Sequence, residues 1–215
     1  MPTFGFDIGS AVTPAQWLCL AAANISWVVP SIDVHGAYNL DGAAKSGFSM
    51  VDGYMVLHRN ESVESEVRRR LDGVKGHKFG RLWLDTENPE DYQKLTKKEN
   101  CKVFHDWVDA VEAAGLSAGV ASNYEWWSSI VDADCTLMDR KTYVPIWDFH
   151  YDMKPDPACA SWHDKPYGGW KKPYAKSYAG HCTDWLWHCN IPRCNHPAGP
   201  DNSSSCDVDV LCDVQ

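Results

Sequence analysis

The fold and the chemistry of this chain can both be traced outward from one stretch, Arg81-Leu82-Trp83-Leu84-Asp85-Thr86-Glu87. Its first five residues form a short apolar run of the length typical of a buried strand, so we predict a strand over Arg81–Asp85. Asp85 and Glu87 are two positions apart. An extended chain therefore places them on the same side, with Cα atoms ~6–7 Å apart.

Two neighbouring carboxyl groups at the end of an apolar strand carry a chemical implication. Burial beside a like charge raises the pKa of one of them, so that it retains its proton near neutral pH. An acid next to a carboxylate is what cleavage of a glycosidic bond requires. The same pattern also occurs at solvated strand ends where acids simply begin a loop. Asp85 and Glu87 alone do not separate the two interpretations.

Further strand-like runs flank this stretch and alternate with helical patterns. We predict the other strands at Phe4–Ile8, Trp27–Ile32, Val51–Leu57, Ala118–Ala121, Val144–Phe149, Tyr174–Tyr178 and Asp207–Leu211. Helical patterns run from Thr13 to Ala23, near Leu40–Lys45, from Val63 to Val74, through Val103–Val111 and around Glu125–Val131. Alternation of strands and helices predicts an α/β fold with a mostly parallel sheet.

Eight strands and five helices indicate a modified barrel of the TIM type whose last three strands lack helices. The length of 215 residues is below the ~250 typical of that barrel, which agrees with the missing helices. We predict one domain over 1–215, with a cysteine-rich insert at 182–206 before the last strand.

The composition excludes several classes of protein. With 44% hydrophobic and 12% aromatic residues the chain is not intrinsically disordered. A formal charge of −9 gives no basic footprint for nucleic acid. The uncharged segment from Ile8 to Ile32 is interrupted by Pro14 and Pro30, which argues against a membrane span. We expect neither a nucleic-acid nor a membrane partner, and we expect a monomer.

Nine cysteines indicate an oxidising compartment. Five of them, Cys182, Cys189, Cys194, Cys206 and Cys212, lie in the C-terminal segment. Disulfides are the favoured interpretation. A metal site remains the alternative, because His181, His188 and His196 are interleaved with these thiols. The chain has no basic segment typical of a signal peptide, so it is either the mature form of a secreted protein or a protein that is not secreted. The cysteines favour the first, and we expect a secreted or lysosomal/phagosomal protein.

Acids and aromatic residues are concentrated at the ends of the predicted strands. The acids are Asp7, Asp33, Asp85, Glu87 and Asp209, and the pairs Asn123-Tyr124 and Trp147-Asp148 end two further strands. Functional groups of such barrels lie at the C-terminal ends of the strands. Each acid taken singly is also explained as a helix cap or a turn residue, but their concentration at one end predicts a sugar-binding surface. His58 follows the third strand, where it either binds substrate or is a rim histidine with a structural partner.

These residues together resemble a known family. The motifs are Gly5-Phe6-Asp7, Val51-Asp52-Gly53-Tyr54, Leu82 to Glu87, Ser122-Asn123-Tyr124 with Trp127, Pro145-Ile146-Trp147, Gly168-Gly169-Trp170 and Val208-Asp209. In this order, over nearly the whole chain, they resemble glycoside hydrolase family 25, the lysozymes of the Chalaropsis type, and most of all its nematode and amoeba branch.

The resemblance implies an eight-stranded barrel that cleaves the β-1,4 bond between N-acetylmuramic acid and N-acetylglucosamine in bacterial peptidoglycan, without a metal or organic cofactor. It implies that Glu87 is the general acid and that Asp85 orients the substrate's N-acetyl group for attack on the anomeric carbon. Asp7 and Asp209 match supporting carboxylates. The residues assigned to substrate binding are Asp33, His58, Tyr124, Trp147 and Tyr178.

Two other functions use carboxyl groups or aromatic residues on a barrel of this kind. A chitinase-type hydrolase would need acids at 80 and 83, where this chain has Gly80 and Trp83. A glycan-binding or structural protein on the same scaffold, without catalytic activity, is the alternative from a different functional class. Turnover of cell walls as opposed to retention on them separates it from a lysozyme.

Overall fold

A computed structural model describes residues 3–58, 61–160, 162, 165–180, 189 and 206–212. The strands are β1 (Phe4–Ile8), β2 (Ile25–Pro30), β3 (Met50–Val51), β4 (Gly53–Val56), β5 (Arg81–Asp85), β6 (Ser117–Ser122), β7 (Ile146–Phe149), β8 (Ala175–Gly180) and β9 (Cys206–Leu211). The α-helices are α1 (Pro14–Ala22), α2 (Gly36–Lys45), α3 (Val63–Gly73), α4 (Lys97–Ala113) and α5 (Tyr124–Ile130). A 3-10 turn covers Pro89–Tyr92.

The strands form one mixed sheet that is nearly closed into a barrel. Their order is β3-β2-β1-β9-β8-β7-β6-β5-β4. Neighbouring strands are parallel except for β9, which is antiparallel to both β1 and β8. The predicted α/β barrel with five helices is confirmed, and the part of the chain that the structure describes between β7 and β9 contains no α-helix.

The predicted third strand is interrupted rather than continuous. Met50–Val51 pairs with β2 and Gly53–Val56 pairs with β5, so the two halves lie at opposite edges of the sheet. Asp52, which lies between them, donates its backbone N–H to Val28 O at 2.9 Å. A parallel bridge between Ser31 and Tyr54 connects the edges. This one chain segment therefore brings the barrel close to closure.

The helices begin where the sequence supplies capping residues. Thr13 and Gln16 form the predicted capping box at the start of α1, and Thr96 and Glu99 form a second one at α4. Each box satisfies backbone N–H groups that the first helical turn leaves unpaired. α2 begins at Gly36, earlier than predicted. These helices cover the outer faces of the strands, where Phe104 and Trp107 are completely buried.

Three tryptophans fill the barrel interior. Trp27 meets Trp83 and Trp147 edge to face, with ring centroids 6.2 and 5.3 Å away. Below them, Asp52 accepts hydrogen bonds from Trp27 Nε1 at 3.1 Å and Trp83 Nε1 at 3.0 Å. Its other oxygen accepts the backbone N–H of Arg81 at 2.8 Å. One carboxyl group thus ties together three segments that are distant in sequence.

Disulfides are present, as predicted, and two of those described link the C-terminal segment to the rest of the chain. The bonds within the described ranges are Cys19–Cys189, Cys101–Cys135 and Cys159–Cys212. Within the described ranges no group of His, Cys, Asp and Glu side chains could hold a metal ion. Cys182, Cys194, the three histidines of the metal alternative and most of the predicted insert at 182–206 lie outside those ranges.

The described part of the chain contains no helix long and apolar enough to cross a membrane.

Candidate active site

Carboxyl groups from three strands converge at one end of the barrel. Asp7 lies near the end of β1 and Asp85 ends β5. Because β9 runs antiparallel to β1, its first residues lie beside the last residues of β1. Asp207 is therefore directly opposite Asp7, and Asp209 is opposite Gly5, one layer deeper. With Glu87, these residues form what we call the acid cluster: Asp7, Asp85, Glu87, Asp207 and Asp209.

The turn after β5 has the alternation that the sequence predicts. The backbone N–H of Glu87 donates to Asp85 Oδ1 at 2.8 Å, which places the two acids next to each other. Thr86 points the opposite way, and its hydroxyl donates to the backbone oxygen of Ala121 at 3.1 Å. Asp85 is 8% exposed, whereas Glu87 is half-buried. The strand end is thus held from both sides, and Glu87 stays accessible.

Burial and mutual repulsion keep protons on this cluster. Burial, followed by the charges of Asp85 and Asp207, raises the pKa of Glu87 to about 8. Burial also raises the pKa of Asp85 to about 7, although its hydrogen bond from the Glu87 backbone opposes the shift. Because the charge of Asp85 raises the pKa of Glu87, the two carboxyl groups do not ionise independently. A carboxylic acid and a carboxylate can therefore coexist near neutral pH, as general acid catalysis requires.

The deeper carboxyl groups are held by the barrel. Asp209 Oδ1 accepts hydrogen bonds from Ser177 Oγ at 2.5 Å and from Trp147 Nε1 at 3.2 Å. Burial is the first cause that raises the pKa of Asp209 well above its usual value, and the same holds for Asp7. The Oδ2 atoms of both residues are buried without a hydrogen-bond partner in the described ranges. Protonation lowers the cost of burying them.

Three residues near the cluster were missed by the sequence analysis. Asp207 is 5% exposed, and it accepts a hydrogen bond from the Tyr151 hydroxyl at 2.5 Å. Tyr54 also lies near the cluster, since Asp7, Asp85 and Glu87 contribute to raising its pKa after burial. For Asp207 a signal existed: in Asp207-Val208-Asp209 the two acids share one face of a strand. Tyr54 belongs to the motif Val51 to Tyr54, which contributed to the family resemblance without a role for this residue, and Tyr151 carried no signal.

The residues predicted to bind substrate lie in different environments. Asp33 forms an ion pair with Arg70 at 2.6 Å, and its charge contributes to the raised pKa of Asp85. His58 is exposed just beyond β4, and Tyr124 is 39% exposed at the start of α5. Trp147 is 2% exposed and lies beneath Asp209, and Tyr178 is 8% exposed in the core between β8 and α1.

Comparison with known proteins agrees with this architecture. A model of the Lysozyme-like protein 1 family matches residues 2–178. The chain belongs to this lysozyme-like family. The match ends before β9, so Asp207 and Asp209 lie outside the matched residues. Only the folding of the barrel brings these two acids next to residues that the family model matches.

Individual relatives of this lysozyme-like chain come from a nematode and an amoeba. It is 30% identical over 184 residues to Lysozyme-like protein 5 of Caenorhabditis elegans, covering 79% of this chain and 80% of the relative. It is 25% identical over 194 residues to Probable GH family 25 lysozyme 5 of Dictyostelium discoideum, covering 84% and 85%. Counting factor 45-1 of Dictyostelium discoideum is 27% identical over 190 residues, covering 82% of this chain and 61% of the relative. The predicted resemblance to the nematode and amoeba branch of glycoside hydrolase family 25 is confirmed.

Proposed function

We propose that this protein is a lysozyme, an N-acetylmuramidase that hydrolyses the β-1,4 bond between N-acetylmuramic acid and N-acetylglucosamine in bacterial peptidoglycan. The observation that carries the proposal is the pair of Asp85 and Glu87 at the mouth of the barrel, hydrogen-bonded through the Glu87 backbone. Burial and neighbouring charge keep Glu87 protonated while its side chain stays half-buried and accessible.

The reaction uses the two acids in different roles. Glu87 donates its proton to the glycosidic oxygen of the leaving sugar as the bond from that oxygen to C1 breaks. The carbonyl oxygen of the substrate's own N-acetyl group attacks C1 and forms an oxazolinium ring, whose positive charge the Asp85 carboxylate stabilises. Water then attacks C1 and gives a proton to the Glu87 carboxylate, which restores both the N-acetyl group and the acid.

The setting of the reaction follows from the same features. The disulfides of the described residues favour an extracellular or lysosomal location, since such bonds persist in oxidising compartments. We propose a secreted or phagosomal, antibacterial protein that acts as a monomer and needs no cofactor, because every proton transfer above is made by a side chain of this chain or by water. The sequence has three Asn-X-Ser glycosylation sequons, and Asn24 in the first of them is exposed. Asn60 and Asn202 lie outside the described residues.

The test is digestion of purified peptidoglycan with mass analysis of the soluble products. Muramidase action yields fragments with N-acetylmuramic acid at the new reducing end, which borohydride reduction labels. Fragments that end in N-acetylglucosamine would contradict the assigned bond. Retention of the protein on peptidoglycan without turnover would reject the lysozyme assignment and support the glycan-binding alternative.

The pH dependence of hydrolysis should report the raised pKa of Glu87. Its proton is retained at pH values where an ordinary glutamate, with a pKa of about 4.3, is ionised. Activity should therefore rise as Asp85 ionises, near its raised pKa of about 7, and fall again as the pH rises through the raised pKa of Glu87, about 8. Profiles of kcat/KM on soluble peptidoglycan fragments measure this alkaline limb. A limb near pH 4.5 would contradict the assignment.

The variant Asp207→Asn tests the cause of that shift. Removing this neighbouring charge should lower the pKa of Glu87 and move the alkaline limb to lower pH. The matched control is Asp134→Asn, which removes an exposed acid between α5 and β7 and should leave the limb in place. Equal shifts in both variants would point to overall charge rather than to this contact.

A further inference from the structure

A cavity opens at the ends of β6 and β7, and none of the residues of the acid cluster lines it. Its volume is about 260 Å³, and its walls include Tyr124, Phe149, His150 and Asp148. Glu125 and Lys165 also line it, joined by an ion pair at 3.2 Å in which both side chains are well exposed. The cavity thus combines aromatic walls, a neutralised charge pair at its rim and one buried carboxyl group.

That carboxyl group belongs to Asp148, which is 6% exposed. The Tyr167 hydroxyl lies 3.0 Å from Asp148 Oδ1 and 3.0 Å from the backbone oxygen of Ser122, which fixes the orientation of the side chain. Burial raises the pKa of Asp148 to about 6. The group is therefore mostly ionised at pH 7, and it forms no ion pair with any side chain in the described ranges.

A continuous aromatic contact connects this cavity to the acid cluster. Phe149 lines the cavity and stacks on Tyr151, with ring centroids 6.3 Å apart and planes inclined by only 6°. The Tyr151 hydroxyl in turn donates to Asp207 of the cluster. Phe149 also packs against Trp147, which holds Asp209. Two aromatic rings, Phe149 and Tyr151, thus connect the wall of the cavity to Asp207 of the acid cluster.

We propose that this cavity binds the ammonium group of a peptide attached to the glycan chain, namely the side-chain amine of a diamino acid in the stem peptide of peptidoglycan. The inference rests on the proposed function, because it assigns a second part of the same substrate. An ammonium ion offsets the cost of the buried Asp148 carboxylate. The Tyr124 wall of the cavity already accepts a cation, since the Lys165 ammonium lies 5.2 Å from the centroid of that ring. N-acetylated sugars carry no positive charge, so the glycan backbone cannot supply the cation that the cavity favours.

The site also supplies selectivity that the acid cluster lacks. The proton transfers at Asp85 and Glu87 would serve any glycan of N-acetylated sugars. A cavity that binds an ammonium group favours glycans with peptide stems over chitin, which has none.

The experiment measures binding and so does not need turnover. Sedimentation with insoluble peptidoglycan is compared for two variants, Glu87→Gln alone and Glu87→Gln with Asp148→Asn. The peptidoglycan is used either with free amines or after its amines have been acetylated, which removes their charge. We expect acetylation to weaken binding of Glu87→Gln by about tenfold, in the range of a hydrogen bond to a charged group. The double variant should bind both preparations equally.

Several outcomes would overturn the inference. One is that Glu87→Gln binds free-amine and acetylated peptidoglycan equally, as expected if the cavity holds a sugar ring. Another is that Asp148→Asn weakens binding to both preparations by the same factor, as expected of a purely structural residue. Loss of binding to both also overturns it. Adding Asp134→Asn to Glu87→Gln is the control and should leave the acetylation effect unchanged.

Failure of the inference is distinguishable from failure of the proposed function. Hydrolysis by the unmodified protein with no effect of acetylation on binding rejects only the ammonium site. If acetylation weakens binding but the unmodified protein does not hydrolyse peptidoglycan, only the lysozyme assignment is rejected.

Discussion

Replacing Glu87 with Gln should lower the rate of peptidoglycan hydrolysis by at least ~10²–10⁴-fold, the usual contribution of a general acid. Glutamine keeps the size and polarity of the side chain but has no proton to give to the leaving oxygen. The half-buried position of Glu87 and the use of its backbone N–H, rather than its side chain, to bind Asp85 mean that the fold should be retained. Turnover of labelled cell walls measures the loss.

The control for this experiment is Glu90→Gln, which makes the same chemical change at an exposed position in the 3-10 turn just after the site. It should leave both kcat and KM unchanged. Thermal unfolding of both variants should match the parent protein, and Glu87→Gln should still sediment with peptidoglycan. Undiminished hydrolysis by Glu87→Gln would refute the catalytic assignment, whereas loss of folding would show that Glu87 has a structural role instead.

The largest effect on stability is expected for Asp52→Ala. The change removes the acceptor for the buried indole N–H groups of Trp27 and Trp83 and for the partly buried backbone N–H of Arg81. A buried donor left without a partner costs ~1–3 kcal/mol, so the two indoles together with the third donor should lower the free energy of unfolding by about 4 kcal/mol. For a chain of this size that corresponds to a fall in Tm of roughly 10 °C.

Denaturant unfolding measures this loss, and a double-mutant cycle identifies its origin. If the hydrogen bond from the Trp83 indole contributes to stability, Asp52→Ala should lower the free energy of unfolding by less in a Trp83→Phe background. That background already lacks one of the donors that Asp52→Ala leaves without an acceptor. The control is Asp72→Ala, an exposed acid near the end of α3. A cost for Asp52→Ala below about 1 kcal/mol would contradict the structural role.

Strands and helices of this protein were predictable because their signals are local. An apolar run such as Arg81–Asp85 and a capping box such as Thr13 with Gln16 depend only on residues close in sequence. The interruption of Val51–Leu57 was not predictable. Its cause is Asp52, whose side chain turns inward to partners 25 and 31 residues away. No local pattern around Asp52 in the sequence predicts its hydrogen bonds with Trp27 and Trp83.

The cysteines follow the same distinction. Their number indicated disulfides, because a count and a compartment are properties of composition. Their pairing was open, since bonds such as Cys19–Cys189 join residues separated by 170 positions. Only the packing of the chain brings such thiols within bonding distance.

For the candidate site, the sequence by itself determined the pair Asp85 and Glu87, because alternation along a strand is a local rule that needs no partner strand. It also indicated Asp7 and Asp209. Only the tertiary structure decided that β9 enters antiparallel beside β1 and so brings Asp207 opposite Asp7. It also decided which carboxyl groups keep their protons. Strand direction and burial depend on contacts between distant segments, and burial is the first cause of every raised carboxyl pKa in the described part of this site.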